Sequence, residues 1–124
     1  MVDVSVTHPG AKSYVRRAHV PLSAAHTRET AKISKYKKVV EAESAFFVPF
    51  VLETFGEFGT QALKFVSDVT SLAKENLSLG QAESDFRGSM VRCLAIALQK
   101  GNAHVALSGA LSSREYAGRS IGIQ

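Results

Sequence analysis

The 124-residue chain reads as an α/β domain, with a small, partly β sheet packed against three or more helices. Three observations predict this. Val2, Val4 and Val6 alternate with Asp3, Ser5 and Thr7, the two-residue period of a strand. A second, continuous apolar run, Ala45-Phe46-Phe47-Val48-Pro49-Phe50-Val51-Leu52, is short and rich in aromatic and β-branched residues. Between them, Leu22 to about Glu43 holds no Gly or Pro and is rich in Ala, Lys, Arg and Glu. A helix there supplies the crossover that a parallel pair of strands requires.

Pro9-Gly10 ends the first strand, a short helical stretch falls around Ser13 to Ala18, and Pro21 forces a break. On the long basic helix Ala25, Ile33, Tyr36 and Val40 share one face. The apolar run suits a strand covered on both faces. Its Pro49 lacks a ladder donor and so belongs at an edge or a bulge. Tyr36 and the cluster Phe46, Phe47 and Phe50 read most simply as core. Gly56 and Gly59 bracket a turn, and Thr60 is placed to cap a helix with Ala62, Val66, Val69 and Ala73 on its apolar face. Ser78-Leu79-Gly80 separates this helix from another, in which Phe86, Met90, Cys93, Leu94, Ala97 and Leu98 recur at helical spacing. Gly101-Asn102 marks an interruption near its end, although Ala103 to Leu111 could continue helically. The reading is one domain over 1–111 and a flexible C-terminal tail over 112–124. Two visible strands make a thin sheet with an unpaired edge, from which self-association follows, most simply as a two-fold homodimer.

Hydrophobic residues make up 45% of the chain and charged residues 21%, the balance of a globular domain rather than a disordered one. The single cysteine, Cys93, excludes an internal disulfide, and its apolar neighbours predict a buried, inert thiol. The four histidines form no metal-binding pair at short helical spacing. No segment reaches membrane-spanning length and the first dozen residues lack a secretory apolar run, so the expected location is intracellular. Net charge is +4, unevenly placed. Lys12, Arg16, Arg17, Arg28, Lys32, Lys35, Lys37 and Lys38 are eight of the fifteen basic residues and lie among a single acid, Glu29. A polyanion would meet this third of the chain, although a merely solvated helix face has the same composition.

Several motifs in order carry a family resemblance. Val2-Asp3-Val4-Ser5-Val6-Thr7-His8-Pro9 resembles the Asp-Val-Thr-Val strand of the restriction-enzyme-like endonuclease domains that end many non-long-terminal-repeat retrotransposon reverse transcriptases. Lys32-Ile33-Ser34-Lys35-Tyr36 is similar to their Lys-x-x-Lys-Tyr helix, and Phe47 to Gly56 to a Phe-x-Pro-x-x-x-Glu-Thr-x-Gly element of a subset. Leu94 to Ala103 resembles the closing helix of that subset. The resemblance spans residues 2–103.

It implies a remnant of a restriction-endonuclease-like fold, DNA as partner and, in an active member, Mg²⁺ held by two carboxylates with a lysine at the attacking water. By the same resemblance Asp3 is a catalytic residue and metal ligand. The usual lysine two positions on is Ser5 here. Lys32, with Lys35 in reserve, takes that catalytic place from the helix. Lys12, Arg16, Arg17, Arg28, Lys37 and Lys38 would then meet DNA phosphate. The family's first carboxylate, in a Pro-Asp motif, stands upstream of the strand, whereas this chain starts two residues before Asp3. The expectation is a domain lacking its first strand and Pro-Asp motif, and inactive alone. Glu53 is the substitute carboxylate, or else a strand-end or helix-start residue or a partner for a basic side chain. Two other classes stay open: a non-catalytic structural or protein-interaction module that retains the fold, and a nuclease completed by a longer chain or a second subunit.

Overall fold

The computed structural model describes residues 1–74 and 83–121. Its order is β1 (Val2–Thr7), a 3-10 turn (Val15–Arg17), α1 (Ser23–Ala42), β2 (Val48–Glu53), α2 (Thr60–Ala73) and α3 (Glu83–Ile121). The two strands run parallel, with Val2 opposite Val48 and Thr7 opposite Glu53, joined through α1. The Ser78–Gly80 break lies outside the described residues.

Pro49 costs the ladder nothing. Val48 N–H donates to Met1 C=O and Thr54 N–H to Thr7 C=O, so the even-numbered residues of β2 face β1 and Pro49 faces away. On that far side Gly59 N–H donates to Val51 C=O and Glu53 N–H to Glu57 C=O, closing a tight turn. Gly56 sits in this turn at φ +102, which a side chain would strain.

The two faces of the sheet differ in chemistry. One carries Phe50 and Leu52, which pack with Phe58, Ala62, Val66 and Leu98 into the apolar core, flanked by Phe65, Met90, Val91 and Leu94. Phe50 meets Phe58 and Phe65 edge-on at 6.3 and 5.8 Å. The other face carries Asp3, Ser5 and Thr7 beside Pro49, Val51 and Glu53, and α1 covers it.

Because that second face is polar, α1 buries the predicted apolar stripe only in part, with Val40 half-buried, and turns charged residues inward beside it. Ala25, Glu29 and Lys32 turn inward, with Tyr36 half-buried one turn on, while Ile33 is exposed. The aromatic cluster also divides: Phe50 is core, Phe47 leans on Tyr36 at 5.1 Å, and Phe46 lies 91% exposed before β2 begins.

α3 departs further from expectation. It passes through Gly101-Asn102 without a break, and the Asn102 amide donates to Thr54 C=O at 2.8 Å, tying the helix to the end of β2. Beyond it the helix leaves the body, exposed from residue 103 to residue 115, and its backbone stays helical to Ile121 through much of the stretch predicted as a tail. Cys93 is exposed rather than buried, since it points away from the face that carries Leu94 and Leu98.

Candidate functional site

The site is the polar layer between α1 and the sheet. Asp3 and Lys32, far apart in sequence, meet there: Lys32 Nζ donates to Asp3 Oδ2, with both side chains mostly buried, 11% exposed for the lysine and 25% for the acid. β1 points Asp3 at α1 by its two-residue period, and α1 returns Lys32 to the same row as Ala25 and Glu29 by its seven-residue repeat.

Lys35 does not join them. It is exposed, with its ammonium 5.2 Å from the centre of the Tyr36 ring. Lys12, Arg16, Arg17, Arg28, Lys37 and Lys38 are not drawn into the layer either. Arg28, Lys35 and Lys38 share one exposed flank of α1 over about 15 Å, at 1.5 Å per residue. Lys37 points elsewhere and reaches Glu41 at 4.0 Å. Arg16 and Arg17 line a small cavity of about 220 Å³ with Ser23 and Thr27 at the start of α1.

Glu53 is brought to the same face as Asp3 but not to its side. Asp3 stands opposite Pro49, so Glu53 lies four residues further along, about 13 Å at the strand rise. Its carboxylate is already engaged, with Oε1 accepting from Ala25 N–H at 3.1 Å. Ala25 is in the first turn of α1, where backbone N–H groups lack helical partners, and the N-cap residue Leu22 has no side chain able to serve them. Leu22 even sits at φ 59, in the left-handed region. Glu53, 2% exposed, therefore caps α1 from the end of β2.

Glu29 repeats the device at α2. The N-cap there is Gly59, which offers no side chain, and Glu29 Oε1 accepts from Gln61 N–H at 3.0 Å. A Cβ on Gly59 would lie 2.3 Å from that oxygen, so the missing side chain makes room for the carboxylate. Sequence reading passes over Glu29. Its signal is a lone acid amid eight bases, on the helical row of Ala25 and Lys32. Between these charges, Ser5 Oγ and Thr7 Oγ1 are buried without a hydrogen-bond partner among the described residues.

Burial raises the Glu53 carboxyl above its ordinary 4.5; the Ala25 N–H opposes this, and Glu57 reinforces it by hydrogen bonding and repulsion. For an acid with a raised folded value, the stabilising contribution is full below the unfolded value and is lost as pH rises through the folded one. Glu53→Gln keeps an acceptor for Ala25, gains a donor for Glu57 and carries no charge. Its stability relative to the parent should therefore rise from pH 4 towards pH 7, because only the parent must then hold an ionised group in that buried place. Urea denaturation at several pH values checks this, and a difference that stays flat or falls with pH would contradict it.

The structure does not bring Asp3 and Glu53 together as a pair. Asp3 is bonded to Lys32, Glu53 holds a helix end, and no group of three His, Cys, Asp or Glu suited to a metal occurs among the described residues. No helix among them is long and apolar enough to cross a membrane. The chain matches no protein-family model, no curated protein and no solved structure.

Proposed function

We propose that this chain is a DNA-backbone-binding domain, derived from an endonuclease-like domain of a retrotransposon reverse transcriptase and incomplete as a nuclease. One observation carries the reading: the two residues that the resemblance singles out, Asp3 and Lys32, come into contact from a strand and a helix. Beside them Arg28, Lys35 and Lys38 line an exposed flank of the same helix. Such a flank suits phosphate, which takes charge without regard to base sequence. An intracellular, DNA-containing compartment, the nucleus in a eukaryote, goes with it.

Cleavage is left out because charge neutralisation at a phosphodiester calls for more than one anionic metal ligand. The chain should bind duplex DNA without nicking it. A supercoiled plasmid incubated with Mg²⁺ or Mn²⁺ should stay supercoiled. Nicking that Asp3→Ala and Lys32→Ala both abolish would restore a complete enzyme.

A second reading, a structural or protein-interaction module, is favoured by the uses of the buried charges. Glu29 and Glu53 each hold a helix end, and Lys32 and Asp3 hold each other. Absence of DNA binding at low salt would decide for it.

A further inference from the structure

We propose that the outer edge of β1 is a self-association surface, on which β1 of a second copy pairs antiparallel with Val4 opposite Val4. In a parallel strand the N–H and C=O of one residue point to the same side, and successive residues alternate. Met1 and Thr7 accept bonds from β2, so Val2, Val4 and Val6 direct their backbone groups away from it. Among the described residues the sheet has two strands, and nothing pairs with that edge.

The side chains point to the same conclusion. Val2, Val4 and Val6 are 45, 62 and 48% exposed, although they share the sheet face of Phe50 and Leu52. α2 and α3 pack on that face at β2, whereas at β1 only Val6 lies across an open cleft from Ala97, Gly101 and Val105 of α3. β1 contains no Lys, Pro or bulge, the devices that keep an edge from pairing. A two-stranded sheet is marginal, and doubling it gives a four-stranded one of ordinary size.

A second copy fits this edge because β1 is self-complementary. A two-fold axis at Val4 sets Val2 against Val6 and Val4 against Val4, so every outward N–H and C=O gains a partner. All the valines then fall on one face. A slip of two residues leaves a valine unpaired at each end. Each Asp3 lands opposite Ser5 on the other face and brings its own Lys32, so no bare charges meet. α1 lies more over β2 than over β1, which leaves space for the neighbour. The two Asp3 residues become diagonal neighbours, about 7–8 Å apart at their Cα atoms.

Sedimentation equilibrium of the full chain tests this, whether or not it binds DNA. Across micromolar concentrations the mass should move towards twice 13.3 kDa. Val4→Lys sets like charges opposite each other at an exposed position and should weaken association at least about tenfold while keeping the parent circular dichroism. In a Cys93→Ser background, Val4→Cys should cross-link to a dimer on mild oxidation, since paired Cα atoms stand about 5.5 Å apart. Val2→Cys should not, because it faces Val6. A monomer throughout, a dimer indifferent to Val4→Lys, or cross-linking of Val2→Cys as readily as Val4→Cys would overturn the proposal.

Discussion

Glu29→Ala is expected to lower the unfolding free energy by about 2–3 kcal/mol, a large share of a small domain's total. The carboxylate is buried at 4% exposure and accepts from Gln61 N–H in the first turn of α2. The N-cap Gly59 cannot replace it. Truncation removes a charge-assisted bond, leaves a backbone donor unsatisfied and opens a void under the turn. Gly59→Ala should act through the same contact, because its Cβ meets Glu29 Oε1 at 2.3 Å and Val51 C=O at 3.1 Å. The carbonyl belongs to a strand and cannot yield, so the carboxylate swings off Gln61. The double variant should then cost less than the sum of the singles by about 1 kcal/mol. Urea denaturation of the four proteins checks this, and simple additivity would mean that the two positions act separately.

The second large effect is expected at the Asp3–Lys32 pair. Removing either partner leaves the other charge largely buried and unpaired, which costs about 3–5 kcal/mol in a fully buried pair. Here a quarter of the Asp3 side chain is exposed, so Lys32→Ala and Asp3→Ala should each cost about 2–3 kcal/mol. Lys35→Ala, three residues away and exposed, should stay within about 0.5 kcal/mol. Replacing both members of the pair should recover part of the loss. Thermal and urea unfolding measure all four variants. A Lys32→Ala cost no greater than that of Lys35→Ala would show that the contact does not hold α1 to the sheet.

The backbone of the fold is legible because its signals are local. The alternation in Val2–Thr7, the helix between Pro21 and Ser44, the β run with Pro49 facing away from its partner, and the turn around Gly56 all stand where the sequence places them. Orientation is less legible. Alternation marks Val2, Val4 and Val6 as a face without saying that β2 and its helices leave that face exposed. The inward row of α1 carries Glu29 and Lys32, and a rule that buries apolar residues selects Ile33 instead.

Asp3 and Lys32 stand out through family resemblance, and their contact depends on the crossover that stacks α1 on β1. Glu53 stands out too, but for the wrong neighbour. Register sets it well away from Asp3 and against the N-terminus of α1, and only strand pairing fixes that register. The last ten residues of α3, 112–121, read as a tail because Gly and Ser lower helix propensity there. Their backbone nonetheless continues the helix that Leu94 and Leu98 anchor in the core.

Titration of a labelled DNA duplex at two salt concentrations tests the functional reading most directly. Unrelated duplexes should bind with similar affinity, and binding should weaken steeply as salt rises. A variant with Arg28, Lys35, Lys37 and Lys38 replaced by Ala, all exposed and remote from the core, should keep the fold and show a shallower salt slope. No binding of the parent chain at low salt, or a slope that the fourfold variant leaves unchanged, would contradict DNA recognition through this helix.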